Sequence, residues 1–353
     1  MTVPFQPSGV WTALVTPFDD AGQIDVGRFR RLVEFQVAQG VTGVLPCGTT
    51  GESPTLTWKE HDDIVHLALE TVGDRCGVLA GTGSNNTAEA IRGTKDALET
   101  GASAVLLVDC YYNGPSSLEL RTRYYEQVLE AVPDIPIVPY VIPGRSGCAL
   151  GAEDLALLHQ RDPKRVPAVK QATGDLDRMR YDRDLAGESL AILSGDDDLT
   201  LAMMADSHIA ASGVVSVMSN LVPKALSEMI AAQAAGDVSR AGEIANQVGP
   251  FLKLVGCRAR STRTLPDGRS IEVEDKFRNP VPLKTMMAGL GMIDGFCRDP
   301  LGKMTKPAVE ICRDAVRHVW ETAPEVLRPL EEAFDVNVEA RLADDGLWSA
   351  LTA

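Results

Sequence analysis

Short apolar runs alternate with longer amphipathic segments along the first two-thirds of the chain. The runs are Val10–Val15, Val41–Pro46, Gly77–Ala80, Ala104–Val108, Ile135–Tyr140, Val166–Lys170, Leu190–Leu193 and Gly213–Val217. They recur at intervals of roughly 23 to 35 residues, and most are continuously apolar, as expected of parallel strands buried on both faces. Between them, Val26–Gln39, Trp58–Val72 and Thr87–Thr100 carry apolar residues at helical spacing. Gly40, Gly73 and Gly101 follow these segments, where a C-terminal cap belongs. Eight β-then-α units predict an α/β fold, a (β/α)8 TIM barrel over residues 1–223, because doubly wound sheets seldom keep this regularity for so long.

From Pro223 the pattern becomes helix after helix, first Lys224–Ala235 and Ser239–Leu254, then further segments to Leu351. This C-terminal helical extension, 224–353, has one interruption. Arg260–Leu265 and Arg269–Glu274 flank Pro266-Asp267-Gly268, which predicts a β-hairpin over 260–274. The charged stretch Glu325–Glu339 reads as a solvated helical face.

Composition narrows the class. Hydrophobic residues are 44% of the 353, enough for a large core. A net charge of −15 repels nucleic acid and anionic lipid, which excludes both as expected partners. Seven widely spaced cysteines argue against a disulfide framework, and five histidines with no metal-binding spacing argue against a metal site. No basic and apolar leader is apparent at Met1–Gly9, and the least charged stretch, Ser207–Pro223, is too polar to span a bilayer. A soluble, cytoplasmic protein is expected.

Barrel enzymes place their chemistry at the C-terminal ends of the strands. Strand two ends in Cys47-Gly48-Thr49-Thr50-Gly51-Glu52, where glycines and two hydroxyls can build a nest for a small carboxylate; no Gly-Lys-Ser/Thr phosphate loop is present. Strand six ends at Lys170. A lysine buried there loses proton affinity and becomes an amine nucleophile able to form a Schiff base with a ketone; the alternative is a lysine snorkelling to the rim. Tyr140 ends strand five and could shuttle protons, or could simply be a core phenol. Arg145, in the following Pro-Gly turn, offers a planar fork for a second carboxylate, although an exposed loop arginine often has no such role. Tyr111-Tyr112 fits either an interface patch or a proton relay. Asp196-Asp197-Asp198 is expected to cap the next helix rather than bind metal.

In order, Gly48-Thr49-Thr50-Gly51-Glu52, Tyr111-Tyr112-Asn113-Gly114-Pro115, Tyr140-Val141-Ile142-Pro143-Gly144-Arg145, Val169-Lys170-Gln171-Ala172-Thr173-Gly174-Asp175, Ser194-Gly195-Asp196-Asp197 and Asn279-Pro280-Val281-Pro282-Leu283-Lys284 carry a resemblance. Over Gly9 to Lys284 the chain resembles the dihydrodipicolinate synthase/N-acetylneuraminate lyase family of pyruvate-dependent class I aldolases. The resemblance implies that Lys170 forms the pyruvate Schiff base, Thr49 and Thr50 hold its carboxylate, and Tyr140 is the general acid/base. It implies that Thr50 links Tyr140 to Tyr112 of a neighbouring subunit, hence a homodimer or homotetramer. Gly195 and Val215 match positions lining the pyruvate pocket. No cofactor is implied. Arg145 favours the synthase branch, in which this arginine binds the carboxylate of aspartate semialdehyde. Ser53, Trp58, His61, Asn85, Glu89 and Tyr111 match an effector cleft where lysine inhibits, with plain interface packing as the alternative.

Three features depart from the family pattern: Val141 where asparagine is usual, Asp109-Cys110 where Thr-Pro is usual, and the added hairpin and tail. The expected activity is condensation of pyruvate with aspartate semialdehyde to a hydroxy-tetrahydrodipicolinate. The alternatives are a catabolic pyruvate aldolase acting on another 2-oxo acid or sugar acid, and a non-catalytic pyruvate or amino-acid sensor.

Overall fold

The computed structural model describes residues 3–353. Eight strands, β1 (Gly9–Ala13), β2 (Gly43–Leu45), β3 (Gly77–Gly81), β4 (Ala104–Val108), β5 (Ile137–Val141), β6 (Ala168–Gln171), β7 (Ala191–Ser194) and β8 (Gly213–Ser216), pair in parallel in chain order. β8 returns to β1, with Val214 opposite Val10, and closes the barrel. The register that matters most lies between β5 and its neighbours: Tyr140 is opposite Val108 on one side and Lys170 on the other.

The helices form because their ends are capped as well as their faces apolar. In α1 (Val26–Ala38) the Asp25 carboxylate accepts from the Arg28 N–H, and in α3 (Thr87–Thr100) Asn86 accepts from Ala88. α2 (Trp58–Val72) opens with a reciprocal capping box between Thr57 and Glu60. Gly40, Gly73 and Gly101 all adopt positive φ at the ends of these helices. The remaining ring comprises α4 (Glu126–Ala131), entered through the π-helical turn Leu120–Tyr125, α5 (Ala152–Arg161), α6 (Leu176–Ala186), α7 (Thr200–Ala205) and α8 (Pro223–Ala234). Because α8 packs on β1, it covers the barrel as the eighth helix. A boundary after 223 therefore falls at the first residue of the helix that completes the β8 unit.

Apolar residues divide between two layers. Trp11, Leu45, Leu79, Leu106, Val138, Leu193 and Val215 fill the barrel interior, together with Tyr140 near the mouth. The outward-facing strand residues join the helices in a larger second layer. Small residues make room inside: a Cβ on Gly77 would come within 2.5 Å of the Trp11 ring.

Beyond the barrel lie α9 (Val238–Leu252), the hairpin strands β9 (Gly256–Thr264) and β10 (Ser270–Arg278), then α10 (Val281–Gly289), α11 (Lys306–Thr322), α12 (Arg328–Phe334), α13 (Val338–Ala343) and α14 (Asp345–Ala350). The hairpin is longer than the sequence pattern suggests. Its strands are rich in arginine and acids, so little hydrophobic alternation marks their ends; Cys257 and Ala259 are buried, and β9 packs on α11. Cross-strand pairs such as Arg258–Glu274 at 2.9 Å and Arg263–Asp275 at 2.6 Å hold the exposed part. Nor is 325–339 merely a solvated face: Leu330, Phe334 and Val338 are buried, and Phe334 meets Phe35 edge-on at 5.3 Å. Among the described residues no helix is long and apolar enough to cross a membrane.

Candidate active site

The barrel mouth holds a cleft of about 220 Å³ lined by Gly48, Thr49, Ser53, Tyr111, Tyr140 and Arg145, among others. Tyr140 lines it, and Lys170 lies beside Tyr140 as its register partner at the adjacent strand end. Lys170 is only 5% exposed, and its ammonium nitrogen lies 4.0 Å from the centre of the Tyr140 ring. Burial brings the Lys170 pKa down to about 8, against the pull of Asp197 and Asp196 and with a further push from Arg145. A substantial fraction of the amine is therefore neutral near physiological pH. Burial moves Tyr140 the opposite way, up to about 12, partly offset by Arg145 and by a side-chain hydrogen bond with Thr49. Its phenol stays protonated, ready to donate.

Gly195 makes space for the amine. A Cβ there would sit 2.7 Å from the Ala172 Cβ and 3.0 Å from the Lys170 Cε. Val215 is fully buried within the barrel interior rather than at the rim.

The loop after β2 is held tight. Gly51 and Ser53 donate to the Gly48 carbonyl and Glu52 donates to Thr49, while Cys47 and Glu52 both adopt positive φ. The N–H groups of Thr49 and Thr50 have no acceptor among the described residues, which suits the carboxylate nest read from the glycines. Thr49 is a side-chain hydrogen-bonding partner of Tyr140. The buried Thr50 hydroxyl accepts from the Asn279 side-chain amide at 2.9 Å.

Tyr112 stands apart from its own barrel: it is 91% exposed and adopts φ 79°. Arg145 lies at the exposed rim and donates to the Asn279 carbonyl at 3.1 Å. The acidic triplet does not cap the next helix as the sequence pattern suggests. Asp196 makes no side-chain cap. Asp197 is buried and accepts from the Ser216 hydroxyl and from the N–H groups of Val217 at 2.9 Å and Met218 at 3.3 Å, tying the end of β7 to that of β8. Beside Lys170, Asp196 is pushed up to about 6, first by burial and then by Asp198, with Lys170 opposing. Among the described residues no group of histidine, cysteine and acidic side chains could hold a metal.

Two departures prove to lie off the pocket. Val141 points into the layer between barrel and helices. Asp109 is buried, accepts from the Tyr125 hydroxyl at 2.5 Å and the Leu150 N–H at 3.0 Å, and so braces the loops after β4 and β5. The six positions matched to an effector cleft are not gathered in one cavity of this chain. His61 is buried, bonded to the Gly81 carbonyl at 2.6 Å, and stacks 4.9 Å from Trp58, which also carries Arg92 over its ring. Ser53 lines the mouth, Asn85 and Tyr111 line a second cleft, and Glu89 accepts from Ser84 at 2.7 Å.

Spacing alone gave no sign of how the distant C-terminal segment secures this mouth. Glu52 and the fully buried Lys284 form an ion pair, Lys284 also donates to the Phe296 carbonyl at 2.8 Å, and Glu52 accepts from the Arg298 N–H at 3.0 Å.

A family model described as the dihydrodipicolinate synthetase family matches residues 6–319. The chain belongs to that family. A 4-hydroxy-tetrahydrodipicolinate synthase of Geobacter metallireducens is 40% identical over 296 residues, 84% of this chain and 93% of the relative. One of Methanothrix thermoacetophila is 39% identical over 309 residues, 87% of this chain and 95% of the relative. The crystal structure of dihydrodipicolinate synthase from Aquifex aeolicus superposes with TM-score 0.78 at 35% identity, over 91% of this chain and 99% of its own. Membership makes the chain a lyase of the class I aldolase type, and it accords with the desolvated lysine at the end of β6.

Proposed function

We propose that the protein condenses pyruvate with L-aspartate semialdehyde to give 4-hydroxy-tetrahydrodipicolinate. The observation that carries the reading is the neutral-poised Lys170 amine against Tyr140 at the barrel mouth. The names of the relatives, 4-hydroxy-tetrahydrodipicolinate synthase, supply the product class.

The chemistry follows from the side chains. The unprotonated Lys170 amine attacks the ketone carbon of pyruvate, whose carboxylate sits at the Thr49 and Thr50 N–H groups. Loss of water, its oxygen protonated through Tyr140, leaves an iminium. The Tyr140 phenolate left by that step takes a methyl proton to give an enamine, which attacks the aldehyde carbon; the new alkoxide then takes the proton back from Tyr140. The amino group of the former semialdehyde then attacks the iminium carbon and releases Lys170, closing the ring. One water is lost overall. Arg145 holds the semialdehyde carboxylate at the rim. Thr49 connects Tyr140 to Tyr112 of the partner subunit, which relays protons to solvent; the exposure of Tyr112 leaves it free to reach that partner.

Steady-state assay of the purified protein with both substrates tests the reading. Turnover of aspartate semialdehyde, with a large loss in Arg145→Ala confined to that aldehyde, is expected. Equal or better turnover of uncharged aldehydes would overturn the substrate assignment.

A further inference from the structure

We infer that Arg278, the last residue of β10, joins Arg145 in a two-guanidinium clamp for the carboxylate of the second substrate. The inference rests on the reading that this substrate is a carboxylate-bearing aldehyde.

The two arginines hold one another's backbone. Arg145 donates to the carbonyl of Asn279, the residue after Arg278, at 3.1 Å. Arg278 donates to the carbonyl of Gly144, the residue before Arg145, at 2.9 Å. Each contact uses one N–H of a five-donor group and leaves the rest of the fork unspent. Burial depresses the proton affinity of Arg145, Tyr140 opposes the shift, and the charge of Arg278 adds a smaller push in the same direction as burial. Such a pair repels until an anion arrives.

No protein anion serves that purpose among the described residues. The chain has 49 acidic against 34 basic residues, and the other four hairpin arginines, Arg258, Arg260, Arg263 and Arg269, each face a carboxylate. Arg278 and Arg145 have none within ion-pair distance. Two unpaired cations at the lip of a cleft, in a strongly acidic molecule, mark a place where a ligand carboxylate is accepted.

The hairpin fixes this cation in space. Arg278 pairs with Gly256 in the antiparallel ladder, and the next residue, Asn279, is buried with its amide on Thr50. The insertion thus delivers its final side chain to the Pro143–Ser146 turn that carries Arg145. A carboxylate has two oxygens, so each guanidinium can take one.

The alternative is that Arg278 only staples the Pro143–Ser146 turn. Calorimetric titration of pyruvate-loaded protein with succinate semialdehyde, alongside steady-state assay with aspartate semialdehyde, separates the two. In Arg278→Gln, succinate semialdehyde should bind roughly tenfold or more weakly while the trapped pyruvate adduct and the KM for pyruvate are unchanged, the selective loss expected of one charged contact. Arg278→Lys should recover part of the affinity. Unchanged affinity in Arg278→Gln, or equal losses for pyruvate and the semialdehyde, would overturn the clamp even if turnover persisted. Weakened binding in a protein whose wild type fails to turn over aspartate semialdehyde would keep the clamp and remove the substrate assignment instead.

Discussion

Lys170 is where burial becomes chemistry. Its pKa near 8 makes Schiff-base formation pH-dependent in a defined direction: the trapping rate with pyruvate should climb as pH rises toward 8 and level off above it. The same shift is a stability cost. The amine is protonated in both states below about 8, so the folded state carries the full penalty there, and the penalty disappears as pH rises through the unfolded value near 10.5. At 1.36 kcal/mol per unit the cost is on the order of 3 kcal/mol. Lys170→Met should therefore abolish the adduct yet raise stability in urea melts at pH 7, and a destabilised variant would contradict the desolvation account. The positions of Lys170 and Tyr140 at adjacent strand ends, and of Arg145 in the turn beyond, were readable because strand ends point at the mouth. The different hydrogen-bond partners of Thr49 (Tyr140) and Thr50 (Asn279) were not, since adjacent hydroxyls cannot be told apart by spacing. Arg278 was unreadable because no local pattern brings β10 to a turn 134 residues earlier.

The loop after β2 and helix α10 are joined by a buried ion pair. Lys284, over the Phe18 ring at 4.4 Å, and Glu52 are both fully enclosed. Removing one partner strands a charge, so Lys284→Ala should cost about 3–5 kcal/mol in denaturant titration, whereas Glu52→Gln with Lys284→Met should recover much of it. Additive losses in the double variant would show that the two groups act separately. At this scale the barrel was legible in full, because buried parallel strands announce themselves as apolar runs and α1 to α3 end at glycines. The hairpin was legible only at its turn, where Gly268 takes φ +84°. Its flanks, held by cross-strand charges, carry little hydrophobic signal.

The molecule as a whole is acidic and has an aromatic side chain turned away from its own core. Tyr112 at 91% exposure is the residue that the proposed relay takes from a second copy, and on that proposal the site is complete only in an assembly. Sedimentation at assay concentrations should give a multiple of 37.8 kDa, and Tyr112→Phe should lower kcat by roughly tenfold or more with adduct formation retained, in the range of a lost proton relay. A fully active monomer would remove Tyr112 from the mechanism. Such an assembly could not be read from pattern alone, because an exposed tyrosine looks the same whether or not a partner covers it.

The most direct test of the account is the intact mass of the protein after borohydride reduction with pyruvate, for the wild type and Lys170→Ala. The account predicts a gain of one reduced pyruvate in the wild type and none in the variant. An unmodified, well-folded wild type, or an adduct that persists without Lys170, would contradict it.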